Sequence, residues 1–159
     1  MFTIKPIGIV HIDVADNDIR NRGSAQGKVE IYEEYAEGLH SLEGFSHIIL
    51  VTYLHHIKEP ERRILKVKFR HLQSLGIPLE TLPEVGVFCS DSPHRPNPIG
   101  VSIIHVLKID GRIIYADNLD LFDGTPVIDI KPYTPFRRIE SLNVPEWYAK
   151  IIALVKKEP

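Results

Sequence analysis

The chain predicts a mainly β fold: a small antiparallel sheet curled into a barrel, with short peripheral helices and a helix at the C-terminus. Three observations carry this expectation. Apolar residues recur mostly with period two or in short continuous runs, the pattern of strands. The strand-like segments lack the alternating helices of a βαβ series, which argues against a parallel sheet. The length of 159 residues, 43% hydrophobic and 25% charged, suffices for one packed domain and little more.

Taken in order, Thr3–Ile12 alternates into a first strand, broken at Pro6-Ile-Gly8. Asp13 to Gly27 is polar and aperiodic, and reads as a long functional loop. Lys28–Tyr32 forms a short strand, and Glu33–Leu42 carries Tyr35, Ala36, Leu39 and Leu42 at helical spacing. The acids in the first turn of that segment suit a helix dipole. Ser46–His55 is apolar on both faces and reads as a buried strand. Ile64–Arg70 alternates cleanly, which puts Lys66, Lys68 and Arg70 on one wet face. His71–Pro83 is a loop with two prolines, and Val85–Cys89 another short strand in which Cys89 reads as a small core residue. Ile99–Ile109 and Arg112–Asn118 flank Asp110-Gly111, a strong hairpin signal. Val127–Lys131 is the last strand, closed by Pro132 and Pro135. Pro145 opens a helix with Trp147, Ile151, Leu154 and Val155 on one stripe.

Composition removes several functions. Nineteen Lys and Arg against twenty-one Asp and Glu exclude a surface that is basic throughout, though not a local basic patch. One cysteine excludes a disulfide framework and a cysteine-ligated zinc. The longest apolar run, Ile48 to Leu54, is too short to span a bilayer, and Met1 to Pro6 lacks a signal-peptide core. The expected setting is therefore cytoplasmic. No Gly-x-Gly-x-x-Gly follows a strand and no phosphate-binding Gly-Lys-Ser/Thr occurs, which argues against Rossmann and P-loop chemistry.

Four segments can carry chemistry. Ser90-Asp-Ser-Pro-His-Arg-Pro-Asn-Pro98 holds three prolines in six residues, so its backbone is stiff and short of donors. Such a loop can present His94, Arg95 and Asn97 at fixed angles to an anionic or planar ligand, or serve as a rigid connector with Arg95 in a structural salt bridge. Asp117-Asn-Leu-Asp-Leu-Phe-Asp-Gly-Thr-Pro126 ends in turn chemistry, with Asp123 able to cap its own backbone. Asn118 and Asp120 are freer to meet a ligand. Its carboxylates do not have the spacing of a calcium loop. His55-His56 ends the buried strand; neighbours on a strand face opposite ways, so no shared metal is expected. A neutral imidazole bonded to ligand or backbone suits them better, and His47 reads as a tether to the preceding turn. Finally, Arg62-Arg63 with Lys66, Lys68 and Arg70 is the best place for a phosphate backbone, against the plainer reading of a solvated face.

Three stretches then stand together: Pro6-Ile-Gly-Ile-Val10; Glu34-Tyr-Ala-Glu-Gly-Leu39 with Leu42-Glu-Gly-Phe-Ser-His47; and Gly86-Val-Phe88 with Ser92-Pro-His-Arg-Pro-Asn-Pro-Ile-Gly100. Leu119-Asp120 and Asp123-Gly-Thr-Pro-Val-Ile-Asp-Ile-Lys-Pro-Tyr133 follow. From about residue 4 to residue 136 the chain resembles the TsaA-like (TrmO) family of S-adenosylmethionine-dependent tRNA methyltransferases. The resemblance implies a single-sheet β-barrel over residues 1–137, with residues 138–159 forming a C-terminal helix on the barrel or at a dimer interface. It also implies a homodimer with the cofactor near its interface, and N6-methylation of threonylcarbamoyladenosine at position 37, beside the anticodon of tRNA.

The family's cofactor contacts carry over to four places. A Pro-Arg-Gln falls near Ile19-Arg20-Asn21, with Gln26 as the competing placement. A His-Gln falls on His55-His56, a Thr-Arg-Ser on Ser90-Asp91-Ser92, and Leu-Asp is kept as Leu119-Asp120 after Asp117-Asn118. Asp91 reverses the charge of the family's arginine. Phe88 and Asp120 suit the neighbourhood of a positive sulfonium, and Arg95 reads as both loop tie and ligand contact. His55, Asp120 or a water can take the proton lost on methylation. Arg95, Asn97 and the Lys66, Lys68, Arg70 set are the expected substrate contacts, and no metal or membrane is expected. The rival readings are a methyltransferase acting on another nucleoside or a small molecule, and a non-enzymatic cofactor-binding dimer module.

Overall fold

The computed structural model describes residues 3–155. Six strands close into an antiparallel barrel. They are β1 (Gly8–His11), β2 (Ala25–Ile31), β3 (His47–Tyr53), β6 (Ile99–Asp110), β7 (Ile113–Leu119) and β8 (Pro126–Pro132), in the order β1-β2-β7-β6-β3-β8. The period-two pattern works as anticipated. Val10, Val29, Ile31, Ile48, Leu50, Ile104, Ile114, Ala116 and Val127 point inward and are fully buried or nearly so. The β6–β7 hairpin pairs Asp110 with Ile113, and Gly111 takes φ 58°, as its two-residue connection requires.

Where β6 leaves the proline-rich loop it runs very close to β3. Gly100 pairs with Thr52, and a Cβ on it would lie 2.6 Å from Thr52 Oγ1 and 3.0 Å from Leu54 Cδ2. Only glycine fits there without a shift. The backbone N–H of Leu54 donates to Pro98 O at 2.7 Å, so the loop's last residues are stitched to the end of β3.

Several local expectations need correcting. The supposed loop Asp13–Gly27 contains α1 (Asp16–Arg22) and the start of β2. Asp16 and Asp18 lie in the first turn of α1, Arg20 and Arg22 in its last, and Gly23 caps it at φ 85° with its N–H on Ile19 O. Only Ile19 is buried, so the helix carries no apolar period to read. The segment from Glu33 winds as a 3-10 helix, Glu33–Leu39, rather than an α-helix. The expected strand Ile64–Arg70 shrinks to β4 (Lys66–Val67), paired only with β5 (Val85–Gly86), and Arg70 opens a 3-10 turn. Lys66, Lys68 and Arg70 therefore share no strand face. Val87–Cys89 is a further 3-10 turn, and Cys89 is exposed rather than core.

Residues 58–89 form an excursion between β3 and β6 with its own small core of Leu72, Ile77 and Leu82. Helix α2 (Glu146–Val155) adds Ile151 and Trp147 to that core, while Leu154 and Val155 stay exposed. Among the described residues, no helix is long and apolar enough to cross a membrane, and no group of three His, Cys, Asp or Glu side chains is placed to hold a metal ion.

Candidate functional site

The polar groups gather at the barrel mouth where β3 and β7 end. On β7 the inward–outward alternation would bury residue 118, but the strand bulges: Leu119 pairs with Ala25 and Ala116 with Gly27, three steps against two. Asn118 absorbs the extra residue at φ 62°, a conformation asparagine tolerates better than most. The bulge turns Leu119 into the core, where it is 0% exposed, and leaves Asn118 and Asp120 outside. Asn118 Nδ2 then donates to Ile103 O at 3.2 Å, and its N–H to Asp117 Oδ1 at 2.7 Å. Asp120 Oδ1 accepts from Ser102 Oγ at 2.6 Å, so a buried hydroxyl of β6 aims an exposed carboxylate.

Strand β3 stops at Tyr53, before the histidine pair. His55 and His56 consequently do not project to opposite faces of a strand. Their rings meet edge-on with centroids 4.0 Å apart, and His56 lies 5.6 Å from the Phe122 ring. Helix α1 closes the same space. Asp16 Oδ2 is 3.6 Å from His56 Nδ1, and the Arg20 guanidinium carbon sits 5.0 Å from the Phe122 centroid while its Nη1 donates to Asn17 Oδ1. Burial holds the His55 pKa below the ordinary histidine value; His56 pushes the same way, against Asp16 and Asp123. His55 is thus biased to the neutral base. Asp123 does not cap its own turn: Oδ1 accepts the N–H of Ile12 at 2.9 Å, tying this loop to the end of β1.

The proline-rich loop is braced from within. Arg95 Nη1 donates to Ser90 O at 3.2 Å and to Ser92 O at 3.4 Å. Ser92 N–H reaches Ser90 Oγ, and His94 N–H reaches Ser92 Oγ. His94 Nε2 stands 3.4 Å from Glu61 Oε1, which joins the loop to the excursion. Arg95 is the loop's tie, as anticipated. Phe88 is 78% exposed, and Asp91 and Asn97 are exposed as well. His47 Nδ1 bonds Ser46 Oγ at 2.9 Å, the expected tether.

The structure therefore brings Arg20, His55 and His56 together, with Asn118 and Asp120 at the end of β7, one strand away across β6. It takes the Leu119 side chain out of reach of any ligand, leaving only its backbone. Sequence reasoning passed over Asp16, Ser102 and Phe122. The acids opening α1 and Gly23 closing it were a readable helix signal, whereas Ser102 and Phe122 are placed by register and by the bulge.

A closed six-stranded barrel with a cationic, aromatic and carboxylate-bearing mouth defines the class: a compact β-barrel domain whose polar groups gather beyond its strand ends. Residues 17–137 match the family model for the tRNA-methyltransferase O N-terminal domain, and the chain belongs to that family. It is similar to a probable S-adenosyl-L-methionine-binding protein of Pyrococcus abyssi, 38% identical over 140 residues that cover 85% of this chain and 70% of the relative. It is also similar to the tRNA (adenine(37)-N6)-methyltransferase of Escherichia coli, 36% identical over 71% of this chain but only 47% of that protein, about half its length. A crystal structure of TrmO shares the fold with a TM-score of 0.66 at 24% identity, over 90% of this chain and 60% of that one.

Proposed function

We propose that this chain is an S-adenosylmethionine-dependent methyltransferase acting on the N6 nitrogen of N6-threonylcarbamoyladenosine at position 37 of tRNA, as a cytoplasmic homodimer. The observation that carries the reading is the meeting of Arg20, Phe122, His56 and His55 at one barrel mouth, with the Asp120 carboxylate held by Ser102 two residues before Phe122. The names borne by its relatives support both the cofactor and the tRNA acceptor.

The donor set fits the cofactor. A guanidinium suits its carboxylate, while an aromatic face and a carboxylate suit a positively charged sulfur. When bound, S-adenosylmethionine supplies an electrophilic methyl group. Arg20 and Asn21 on α1, His56, and the Asn118-Leu119-Asp120 backbone bulge would hold it, with Phe88, Ser90 and Asp91 as contacts from the start of the proline-rich loop. Ser102 fixes the Asp120 carboxylate, which spares its orientation from being settled at each turnover. Because burial favours the neutral imidazole, His55 is available as a base to take the proton from the nitrogen that is methylated. Arg95, spent on two carbonyls, shapes the loop that offers Asn97 to the substrate.

For the RNA, the outer barrel face offers a row in place of the strand that Lys66, Lys68 and Arg70 do not form. His11 pairs with Lys28, Lys28 with Tyr115, and Tyr115 with Lys108 across four strands. The two ammonium groups lie 5.6 and 4.5 Å from the Tyr115 centroid, beside a groove of about 420 Å³. A base can stack on the ring while phosphates meet the lysines. Incubating the purified chain with labelled S-adenosylmethionine and tRNA, followed by nucleoside mass spectrometry, tests the proposal. Methylated threonylcarbamoyladenosine is the expected product. Cofactor binding with label on another acceptor would refute the tRNA assignment, and absence of cofactor binding at high micromolar concentration would refute the enzyme.

A further inference from the structure

The groove beside the Lys28–Tyr115–Lys108 row is built by alternation. Gln26, Lys28 and Glu30 on β2 alternate with Gly27 and the buried Val29, so all three face outward and line it with Tyr115 of β7. Its two ends differ. At the hairpin end Glu30 is spent: Oε2 bonds His11 Nε2 at 2.8 Å, and Oε1 accepts from the Arg112 guanidinium. At the other end Gln26 and Asp13 are exposed, and Asp13 stands in no ion pair among the described residues. Between the ends, Lys28 has no carboxylate partner among those residues either, and Lys108 has Asp110 at 3.9 Å. One aromatic ring, two ammonium groups, an amide and a carboxylate are thus left to meet a ligand.

The groove also leads to the mouth. Val14, on its wall, comes just before α1, whose Arg20 lies over Phe122. Gln26 follows Ala25, which pairs with Leu119 of the bulge. Along β7, Tyr115 precedes Asn118 by about 10 Å of strand, at about 3.3 Å per residue. Stacked nucleotides rise about 3.4 Å each, so this span corresponds to about three nucleotide steps.

We propose that the groove is a nucleobase subsite for a nucleotide about three steps along the strand from the methylated one, and that it selects a base bearing an exocyclic amino group. This rests on the tRNA reading above and names a feature of the RNA that the chain reads besides the acceptor. The base stacks on Tyr115, and Lys28 and Lys108 meet the phosphates to either side. The ionised Asp13 carboxylate can accept hydrogen bonds but not donate them, whereas the Gln26 amide does both. Adenine, guanine and cytosine each offer an amino donor to that carboxylate. Uracil offers carbonyl oxygens, which a carboxylate repels. The subsite needs an unpaired strand, because pairing hides the edge and stacking hides the face.

The test is fluorescence anisotropy of the full chain, saturated with S-adenosylmethionine, against short fluorescein-labelled strands of oligocytidine and oligouridine. The wild type should hold oligocytidine at least about fivefold more tightly, the effect of one hydrogen bond to a charged acceptor. Asp13→Ala should erase that preference by raising oligouridine affinity, since a negative charge has left the groove. Tyr115→Ala should weaken both strands at least about fivefold, and Tyr115→Phe, which keeps the ring, should restore them. Cofactor affinity in calorimetry should stay the same in all three variants. Equal affinity of the wild type for the two strands, or a preference that survives Asp13→Ala, would overturn the subsite and leave methylation of tRNA standing. A chain that binds neither strand and puts no methyl group on tRNA would overturn both.

Discussion

Gly100→Ala isolates the packing that seats the proline-rich loop. The added Cβ would lie 2.6 Å from Thr52 Oγ1, 3.0 Å from Leu54 Cδ2 and 3.6 Å from Leu54 Cγ. The first distance is far inside van der Waals contact. Thr52 is 0% exposed and β-branched, so its χ1 has little freedom to swing the hydroxyl away. The strands cannot simply part either, because Gly100 and Thr52 sit within a β3–β6 ladder that runs from His47↔His105 to Tyr53↔Ile99. Overpacking of this kind costs about 1–3 kcal/mol. In a chain of this length each kcal/mol moves the melting temperature by roughly 2–4 °C, so a fall of about 2–12 °C is expected in thermal denaturation followed by circular dichroism. Thr52→Ala removes the oxygen that the new methyl meets, and the double variant should recover at least about 1 kcal/mol relative to the sum of the single changes. An unchanged melting temperature for Gly100→Ala, or strictly additive single costs, would show that the clash is relieved elsewhere and that this glycine does not set the loop. Thr52 Oγ1 also has no hydrogen-bond partner among the described residues, so Thr52→Val should be neutral or stabilising by about 1 kcal/mol in the same assay.

Asp120→Asn removes the charge that Ser102 aims, and should weaken S-adenosylmethionine binding in calorimetry at least about tenfold while leaving the melting temperature in place. Because burial lowers the His55 pKa, the unfolded chain takes up that proton at higher pH than the folded one. The contribution of His55 is therefore present above the ordinary histidine pKa and is lost as pH falls through its lower folded value. His55→Gln should flatten the wild-type loss of stability as pH falls below the ordinary histidine pKa, and a curve that keeps its slope would assign that loss to other groups. Lys28→Glu combined with Lys108→Glu should weaken tRNA binding and reduce the salt slope of log K by about 1.5, with cofactor affinity untouched. Equal slopes in variant and wild type would place the RNA on another face.

Most of the barrel was legible because its physics is local and periodic. Val10, Ile48, Leu50, Ile104 and Ile114 lie in short, largely apolar runs of strand length, in which every second residue turns inward. The hairpin at Gly111 was legible for the same reason. Arg95 could be read as a loop tie, since three prolines nearby leave carbonyls that need a donor. Misreadings arose where one tertiary fact overrode a sound local signal. Ile64–Arg70 alternates as well as any strand in the chain, yet the barrel closes through β8 pairing with both β1 and β3, and a closed barrel has no edge for a seventh strand. The segment is left to pair two residues with Val85–Gly86 and to fold over a small core instead.

The same closure explains why the site was only half visible. A barrel interior filled by Ile, Leu and Val side chains leaves no room for a ligand, so chemistry must collect where strands end and alternation lapses. At that mouth the positions of side chains follow from single events: β3 stopping at Tyr53, Asn118 adopting positive φ, and α1 forming around one buried isoleucine. None has a period. Each converts residues that a strand pattern would scatter over two faces into neighbours, as with His55 beside His56 and Leu119 buried between two exposed polar groups. A bulge of one residue thereby exchanges a core leucine for an aimed carboxylate. Deleting Asn118 should therefore let β7 run on as a regular strand with Leu119 still inward and Asp120 still outward. Asn118→Gly should keep the bulge, because glycine accepts positive φ freely, so both variants should hold the wild-type melting temperature. A collapse on deletion would show that Asn118 is not the inserted residue.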